Sequence, residues 1–195
     1  MSVSGGNFLL YACGGLICLG LVVLVIWAIA SYNKLVRQRN QVQASWAQID
    51  VQLKRRYDLI PNLVETVKGY AAHEKGTLEA VIEARNGAVA ASGSGPAGRA
   101  EAENMLTQTL GRLFALAEAY PNLKANENFM ALQSELTGTE DKIAYSRQFY
   151  NSAVQTLNNT VQSLPSNIIA GMTGFKTEAY FEAAGGERGP VQVRF

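Results

Sequence analysis

The sequence offers one histidine, His73, that could serve as a metal ligand or a general base. A metal site would need further ligands at suitable spacing, and the nearest acidic residues are Glu74, Glu79 and Glu83. Glu79 and Glu83 are four residues apart on a predicted helix, as are many acidic residues that face solvent. We therefore interpret His73 as a polar residue at a helix break, and we predict no metal site.

Patterns for nucleophilic, phosphate-binding or nucleic-acid chemistry are also weak. A catalytic triad needs a histidine held between a nucleophile and a third group, and one histidine at a flexible break gives little support. The Gly93–Pro96 stretch lacks the lysine of a phosphate-binding loop. The basic run Lys54–Arg56 is too short for a nucleic-acid surface, so a solvated or internally paired patch is expected. We predict no enzyme, no cofactor and no nucleic-acid partner.

Charge and cysteine content add two exclusions. The 195 residues contain 17 Lys and Arg against 16 Asp and Glu, a balance that gives no overall attraction to nucleic acid. The two cysteines, Cys13 and Cys18, are five residues apart in an apolar helix and point to different sides, so no disulfide is expected. The length suits one domain and an anchor.

The elements that would position any site begin with an apolar segment. Phe8–Ala30 contains 23 uncharged residues and as a helix is about 34 Å long, enough to cross the roughly 30 Å hydrocarbon core. A cleaved signal peptide fits poorly, because Met1–Asn7 has no Lys or Arg and the apolar run is long. A lipoprotein signal is disfavoured by the apolar residues that continue beyond Cys13. We predict an uncleaved transmembrane helix that contacts membrane lipids.

The charges around this segment predict its orientation. Lys34, Arg37 and Arg39 follow the segment, and no Lys or Arg precedes it. The positive-inside rule then places the N-terminus outside and residues 34–195 in the cytoplasm. Because the rule is weaker for long domains, export of the bulk domain stays the alternative.

After the anchor, apolar residues follow a heptad pattern. Two sets recur every seven residues, offset by four: Leu35, Val42 and Ile49, and Trp46, Leu53 and Ile60. These are the a and d positions of a helix that continues the anchor without a break. Arg39 and Arg56 fall at a d and an a position. Each either snorkels at the edge of the seam or forms a buried pair with a carboxylate of a neighbouring helix, which would set register.

The remaining sequence predicts further amphipathic helices. Pro61 predicts a kink in the first helix, because proline removes a backbone hydrogen bond and apolar residues continue beyond it. The additional helices are predicted over Thr77–Ala91, Arg99–Ala119 and about 126–164. Ala91–Gly98 has the composition of a flexible loop. Short loops favour antiparallel neighbours, so the predicted fold is all-α: one N-terminal transmembrane helix continuing into an antiparallel helical bundle with coiled-coil-like packing.

The domain organisation follows from these elements. The predicted segments are a short N-terminal segment (1–7), the transmembrane helix (8–31), the helical bundle domain (32–181) and a C-terminal tail (182–195). In the tail, Val191–Phe195 alternates apolar and polar residues with period two. A terminal strand and an apolar tail are both left open.

Several motifs resemble the LemA family. They are Tyr32-Asn33, Arg55–Val64, Val67–Tyr70, His73-Glu74, Arg147–Asn151 and Leu164–Ala170. The resemblance runs from the anchor to the C-terminus and implies a membrane-anchored α-helical bundle with a short exported N-terminus, without supplying a reaction. One branch of the family is linked to the biogenesis of magnetosome membranes. This sequence has Leu157-Asn158 where the resemblance would lead us to expect a second Tyr-Asn pair, which puts a role for that tyrosine in doubt.

A neutral, amphipathic bundle on a single anchor favours self-association, because tethering in one plane raises the effective concentration of neighbouring copies. The leading hypothesis is a non-enzymatic membrane scaffold or membrane-remodelling protein that forms a homo-oligomer. The alternative is an adaptor subunit of a membrane signalling or proteolytic complex, with a different membrane protein as its partner. The predicted interface residues are Val42, Trp46, Ile49, Leu53, Arg56, Asp58, Ile60 and Pro61.

Overall fold

The first helix, α1, spans Val3–Lys68 in the computed structural model, which describes the backbone of residues 3–181 and the side chains of residues 14–181. Its Gly14–Lys68 part is, among the described residues, the one helix long and apolar enough to cross a membrane. No break separates the anchor from the heptad region, which confirms the prediction of one continuous helix. Pro61 lies inside α1, and the kink predicted there stays a prediction.

Short connections join the later helices. They are α2 (Lys75–Ala90), a 3₁₀ turn (Ala91–Gly93), α3 (Gly95–Ala117), α4 (Pro121–Lys124), α5 (Glu127–Gln162) and α6 (Ser166–Thr173). The described part of the protein has no strand, so the all-α prediction is confirmed. Val191–Phe195, where a strand was left open, lies outside the described residues.

The start of α3 differs from the prediction. Ala91–Gly98 was expected to be a loop, but a 3₁₀ turn occupies its beginning and α3 starts at Gly95 instead of Arg99. Gly95 has a φ of +77°, a left-handed conformation that glycine adopts without steric cost. Pro96 then fits the first helical turn, where its missing N–H would have no partner anyway. The Gly-Pro pair therefore starts a helix here.

The protein divides into two compact units. The first unit contains Met1–Val42 and Gln155–Glu178. Leu35 of α1 and Leu157 of α5 are fully or almost fully buried in it. In contrast, the Leu16–Ile26 stretch of α1 is exposed throughout, as expected for a helix that contacts lipid.

The second unit contains residues 43–154 and 179–195 and holds most of the bundle. Within it, α1 and α5 are antiparallel, because Arg56 contacts Glu140 while Trp46 contacts Tyr150. α1 and α2 are antiparallel as well, since the phenol of Tyr57 lies 3.4 Å from the carbonyl of Ala88 near the end of α2. The core residues of this unit include Ile49, Leu53, Ile60, Leu63, Val81, Leu106, Leu113 and Leu136.

Candidate functional site

Six interacting side chains from three helices form a polar cluster inside the second unit. This ion cluster consists of Asp50, Arg56 and Tyr57 from α1, Arg99 and Glu103 from α3, and Glu140 from α5. Arg56, Tyr57, Arg99 and Glu103 are buried, while Asp50 and Glu140 connect the cluster to the surface. Charged groups are rarely buried unless they are paired, so this arrangement is the first candidate for a functional site.

Arg56 is the centre of the cluster. Its Nη2 donates to Glu103 Oε2 at 2.5 Å and to the Glu103 carbonyl oxygen at 3.2 Å. Its Nη1 donates to Thr107 Oγ1 at 3.1 Å and to a carboxylate oxygen of Glu140. The guanidinium group, only 1% exposed, therefore links α1 to both α3 and α5.

Arg99 and Tyr57 complete the shell around Glu103. Arg99 Nη1 lies 2.7 Å from Asp50 Oδ1, and its guanidinium carbon lies 5.6 Å from the ring centroid of Trp46. The Tyr57 hydroxyl donates to Glu103 Oε1. Burial, reinforced by this hydrogen bond, raises the pKa of Tyr57 to about 12. Burial alone would lower the pKa of Arg99, but hydrogen bonds and charges from Tyr57 and Asp50 outweigh it, so this pKa is raised.

The energetics of the ion cluster indicate that it fixes the alignment of α1, α3 and α5 and adds little net stability. Removing ions from water costs several kcal/mol each, and among the described residues the Nε atoms of Arg56 and Arg99 have no hydrogen-bond partner. Losing one member would nevertheless leave an uncompensated buried charge, at a cost of about 3–5 kcal/mol. A shift of α1 by one turn would separate Arg56 from both Glu103 and Glu140, so the cluster selects one alignment of the three helices.

The ion cluster is poorly arranged for catalysis. Both carboxylate oxygens of Glu103 accept hydrogen bonds, and its side chain is fully buried. Two grooves open on the described surface of the second unit, and neither is lined by a residue of the cluster. Within the described residues, no group of three or more His, Cys, Asp or Glu side chains could hold a metal ion. His73 is exposed in the connection between α1 and α2.

The two grooves involve α1 and a different neighbouring helix in each case. The α1–α2 groove, of about 710 Å³, is lined by Val64, Lys68, Ala72, Lys75, Leu78, Glu79, Ile82, Glu83 and Asn86. The α1–α5 groove, of about 450 Å³, is lined by Gln48, Val51, Gln52, Asp141, Lys142, Tyr145 and Ser146. Both are open, so they suit a polypeptide segment better than an enclosed small molecule.

Asparagine side chains hold the irregular segment that follows α6. The backbone leaves α6 at Gly174, whose φ is +74°. In the second unit, Asn151 Nδ2 donates to the Phe181 carbonyl at 3.0 Å, and Asn151 Oδ1 accepts from the Phe181 N–H at 2.9 Å. In the first unit, Asn158 forms the same pair with the backbone of Glu178, at 3.0 and 2.8 Å. Each amide thus supplies the donor and acceptor that an irregular backbone lacks.

Phe181 is an apolar anchor for the same segment. Its ring is fully buried, 5.5 Å between centroids from Trp46, and the guanidinium carbon of Arg147 lies 4.8 Å from its centroid. The Tyr150 hydroxyl donates to the carbonyl of Ala179 at 2.9 Å. The Tyr150-Asn151 motif therefore attaches the segment that follows α6.

The predicted interface residues lie in different environments. Trp46 is half-buried, Arg56 belongs to the ion cluster, and Asp58 and Pro61 are exposed. The remaining four are buried within the single molecule: Val42, Ile49, Leu53 and Ile60. A second copy would contact those four only if the bundle opened, so their interface role stays a prediction.

Arg39 and Arg56, the two arginines at heptad positions, lie in different environments, and each fits a different one of the two predicted alternatives. Arg56 forms the buried pair with carboxylates of neighbouring helices. Arg39 is exposed, and its guanidinium carbon lies 4.9 Å from the ring centroid of Phe175, as expected for snorkelling.

Sequence reasoning missed the other half of the ion cluster. Arg99 lies seven residues before Leu106, and Glu103 lies seven before Leu110. Both therefore occupy core positions of the α3 heptad, as Arg56 does in α1. Charged residues at core positions of two helices were the signal that could have found the cluster. Asn151 and Asn158 gave no comparable signal, because their partners are backbone atoms.

Comparison with known proteins adds the family context. A sequence model described as the LemA family matches residues 45–195. The chain is 29% identical to magnetosome protein MamQ 2 of Paramagnetospirillum magneticum, over 84% of this chain and 69% of that protein. It is 28% identical to magnetosome protein MamQ of Magnetospirillum gryphiswaldense, with the same coverage. Protein LemA of Metamycoplasma hominis is 24% identical over 83% of this chain and 73% of its own.

Proposed function

Because the chain belongs to the LemA family, we propose that it is a membrane-anchored, non-enzymatic helical scaffold or membrane-remodelling protein that acts by self-association. The exposed apolar stretch of α1 and the similarity to proteins named for the magnetosome support a membrane protein. The main support for self-association is the α1–α5 groove with its exposed Val51 and Tyr145.

This groove has the composition of a self-complementary contact. Val51 is 63% exposed and Tyr145 is 72% exposed. Tyrosine is enriched among residues that dominate binding energy at interfaces. Asp141 and Lys142 lie side by side in the same groove. A two-fold contact places Lys142 of one copy near Asp141 of the other, and the reverse, which satisfies both charges.

Membrane tethering supports association through a small contact. A stable interface buries about 800 Å² on each partner, more than two exposed side chains provide. Copies anchored in one plane have a high effective concentration, so a weaker contact becomes populated. The α1–α5 groove is therefore proposed as the nucleus of a larger homo-oligomer in which membrane lipids contact the exposed part of α1.

The proposal includes an orientation. The basic residues Lys34, Arg37 and Arg39 favour an outside N-terminus and a cytoplasmic bundle. A reporter protein that is active only in the cytoplasm should therefore be active when it is fused after Phe195. Digestion of the bundle by protease added to intact spheroplasts would contradict this orientation.

Crosslinking of the full-length protein reconstituted in lipid vesicles, read as the mass of the crosslinked species, tests self-association, because a vesicle keeps the copies tethered in one plane. Wild-type protein should form an oligomer of defined mass, and Tyr145→Asp should reduce that mass to the monomer by placing a charge in the contact. Met105→Asp is the matched control, because Met105 is an exposed apolar residue of α3 that lines neither groove. It should leave the mass unchanged.

A crosslinking measurement locates the contact. In a Cys13→Ser/Cys18→Ser background, Val51→Cys in isolated membranes treated with the oxidant copper phenanthroline should give a disulfide-linked dimer, whereas Met105→Cys should not. A wild-type protein that remains monomeric at all concentrations and gives no Val51→Cys dimer would contradict the scaffold and favour the adaptor.

A further inference from the structure

The α1–α2 groove is an open apolar surface within the second unit. Its floor consists of Val64 from α1 and of Leu78 and Ile82 from α2. Lys75, Glu79 and Glu83 of α2 form one rim of the groove. Neither glutamate has an ion-pair partner within the described residues, whereas Lys68, on the α1 side, lies 3.7 Å from Glu65. The groove is therefore apolar at its floor and negative at the Glu79–Glu83 part of its α2 rim, beyond Lys75.

We propose that the Val191–Phe195 segment of the same molecule occupies this groove. The segment reads Val-Gln-Val-Arg-Phe, so in an extended conformation Val191, Val193 and Phe195 project from one side. This apolar side matches the floor of the groove. Arg194 lies on the opposite side, away from the floor, and its long side chain can bend to the rim that carries Glu79 and Glu83.

The dimensions of the segment and the groove agree. Five extended residues span about 13 Å between the first and last Cα atoms, at about 3.3 Å per residue. On the α2 side the groove extends from Lys75 to Asn86, about 16 Å along a helix. Three apolar side chains at alternate positions therefore fit along the groove.

The tail is long enough to reach the groove from its last described anchor. Phe181 packs on Trp46, and Val64 lies 18 residues further along α1, about 27 Å at 1.5 Å per residue. Residues 182–190 extend to roughly 30 Å at about 3.3 Å each. Trp46 and Val64 also lie on the same side of α1, because 18 residues complete five turns of 3.6 residues. Residues 182–190 are therefore long enough to connect Phe181 to the α1–α2 groove of the same molecule without any rearrangement of the described helices.

Charge complementarity adds to this fit. Residues 182–190 contain Glu182 and Glu187 as well as Arg188, but within Val191–Phe195 the one charged side chain is that of Arg194. The groove rim offers this arginine two carboxylates that form no ion pair with any other described residue. Since the family match extends through residue 195, the tail belongs to the matched domain. The inference concerns a contact within one molecule and does not depend on the α1–α5 groove or on self-association.

Thiol accessibility tests the proposal in the full-length protein. In a Cys13→Ser/Cys18→Ser background, Ile82→Cys places a thiol in the floor of the groove. Adding Val193→Asp and Phe195→Asp should increase its rate of alkylation by N-ethylmaleimide at least about tenfold. Val89→Cys, on α2 but not lining the groove, is the control and should react at the same rate with either tail. Circular dichroism verifies that each variant keeps its helix content.

A charge exchange gives an independent readout of the same contact. Arg194→Glu should also accelerate alkylation of Ile82→Cys, and adding Glu79→Lys and Glu83→Lys should restore the slow rate. Equal alkylation rates with native and substituted tails would overturn the proposal. Protection that weakens as the protein is diluted would overturn it as well, because the groove would then be filled by the tail of a second copy.

Discussion

Arg39 and Arg56 both lie at core positions of the α1 heptad, yet their surroundings differ completely. In the first unit Arg39 is exposed and stacks on Phe175. In the second unit Arg56 is buried and contacts Glu103 and Glu140. The helices facing Arg56 supply carboxylates, whereas the segment facing Arg39 supplies an aromatic ring. Heptad position thus predicts which way a side chain points, and the facing residues decide whether its charge is buried.

The comparison predicts very different sensitivities in the two regions. A buried charge whose partner is removed cannot be solvated, whereas an exposed charge is solvated by water.

Glu103→Ala should have the largest effect. It leaves Arg56 and Arg99 buried beside each other with fewer carboxylates, so the free energy of unfolding should fall by about 3–5 kcal/mol. Denaturant titration of the detergent-solubilised protein measures this change. Glu101→Ala, an exposed acid of the same helix, is the matched control and should change stability by less than about 0.5 kcal/mol. Equal effects of the two substitutions would show that the ion cluster is not buried.

The pKa of Tyr57 predicts a loss of stability at high pH. The pKa in the folded state is about 12, above the ordinary value of 10.0, so the protonated phenol stabilises the fold fully below pH 10. This contribution, up to roughly 3 kcal/mol, is lost as the pH rises from 10 to 12. Tyr57→Phe should remove this part of the pH dependence.

Tyr145→Phe is the control for this titration, because Tyr145 is exposed and lies outside the ion cluster. It should retain the wild-type stability profile between pH 10 and 12. A Tyr57→Phe profile that declines as steeply as the wild type would contradict the buried hydrogen bond to Glu103.

Asn158→Ala should have an intermediate effect in the first unit. It removes the donor and the acceptor that pair with the Glu178 backbone, so the expected cost is about 1–3 kcal/mol. The measurement is hydrogen exchange by mass spectrometry, and the Glu178 amide should lose protection. Asn159→Ala, an exposed neighbour on α5, should leave this amide protected. Similar exchange in both variants would exclude the asparagine contact.

Arg39→Met should have the smallest effect. An exposed cation–π contact contributes about 0.5–1 kcal/mol, and methionine retains part of the packing on Phe175. The same denaturant titration applies, with Arg56→Met as the buried counterpart, which should cost several times more. A loss at Arg39 as large as the loss at Arg56 would remove the distinction between the two regions.

The sequence was sufficient to predict α1, α2, α3 and α5 and the buried face of α1, whereas α4, α6 and the 3₁₀ turn were not predicted. The seven-residue spacing from Leu35 to Ile60 placed the buried side of α1, because burial of one helical face leaves a periodic signal. The predicted helix over Thr77–Ala91 agrees with α2 to within two residues at each end. For Arg56, both alternatives were derived, but the choice required the facing helices.

Other features required the structure because their partners are distant or are backbone atoms. In the sequence, Glu103 by itself cannot be distinguished from an exposed glutamate of a helix, because its role depends on how α3 is aligned with α1. Composition placed Gly95 in a loop, although its left-handed φ lets Pro96 begin a helix. The role of Asn151 depends on Phe181, thirty residues away, and no local pattern relates the two.

The asparagine contacts have a consequence for sequence variation. Asn151 and Asn158 bind main-chain atoms of Phe181 and Glu178, so they impose no requirement on the side chain at position 178, which is exposed. In a saturation library, position 178 should accept most amino acids and reject proline, which has no N–H to donate. Position 158 should accept almost none. Two hydrogen bonds therefore connect position 178, which tolerates substitution, to position 158, which does not.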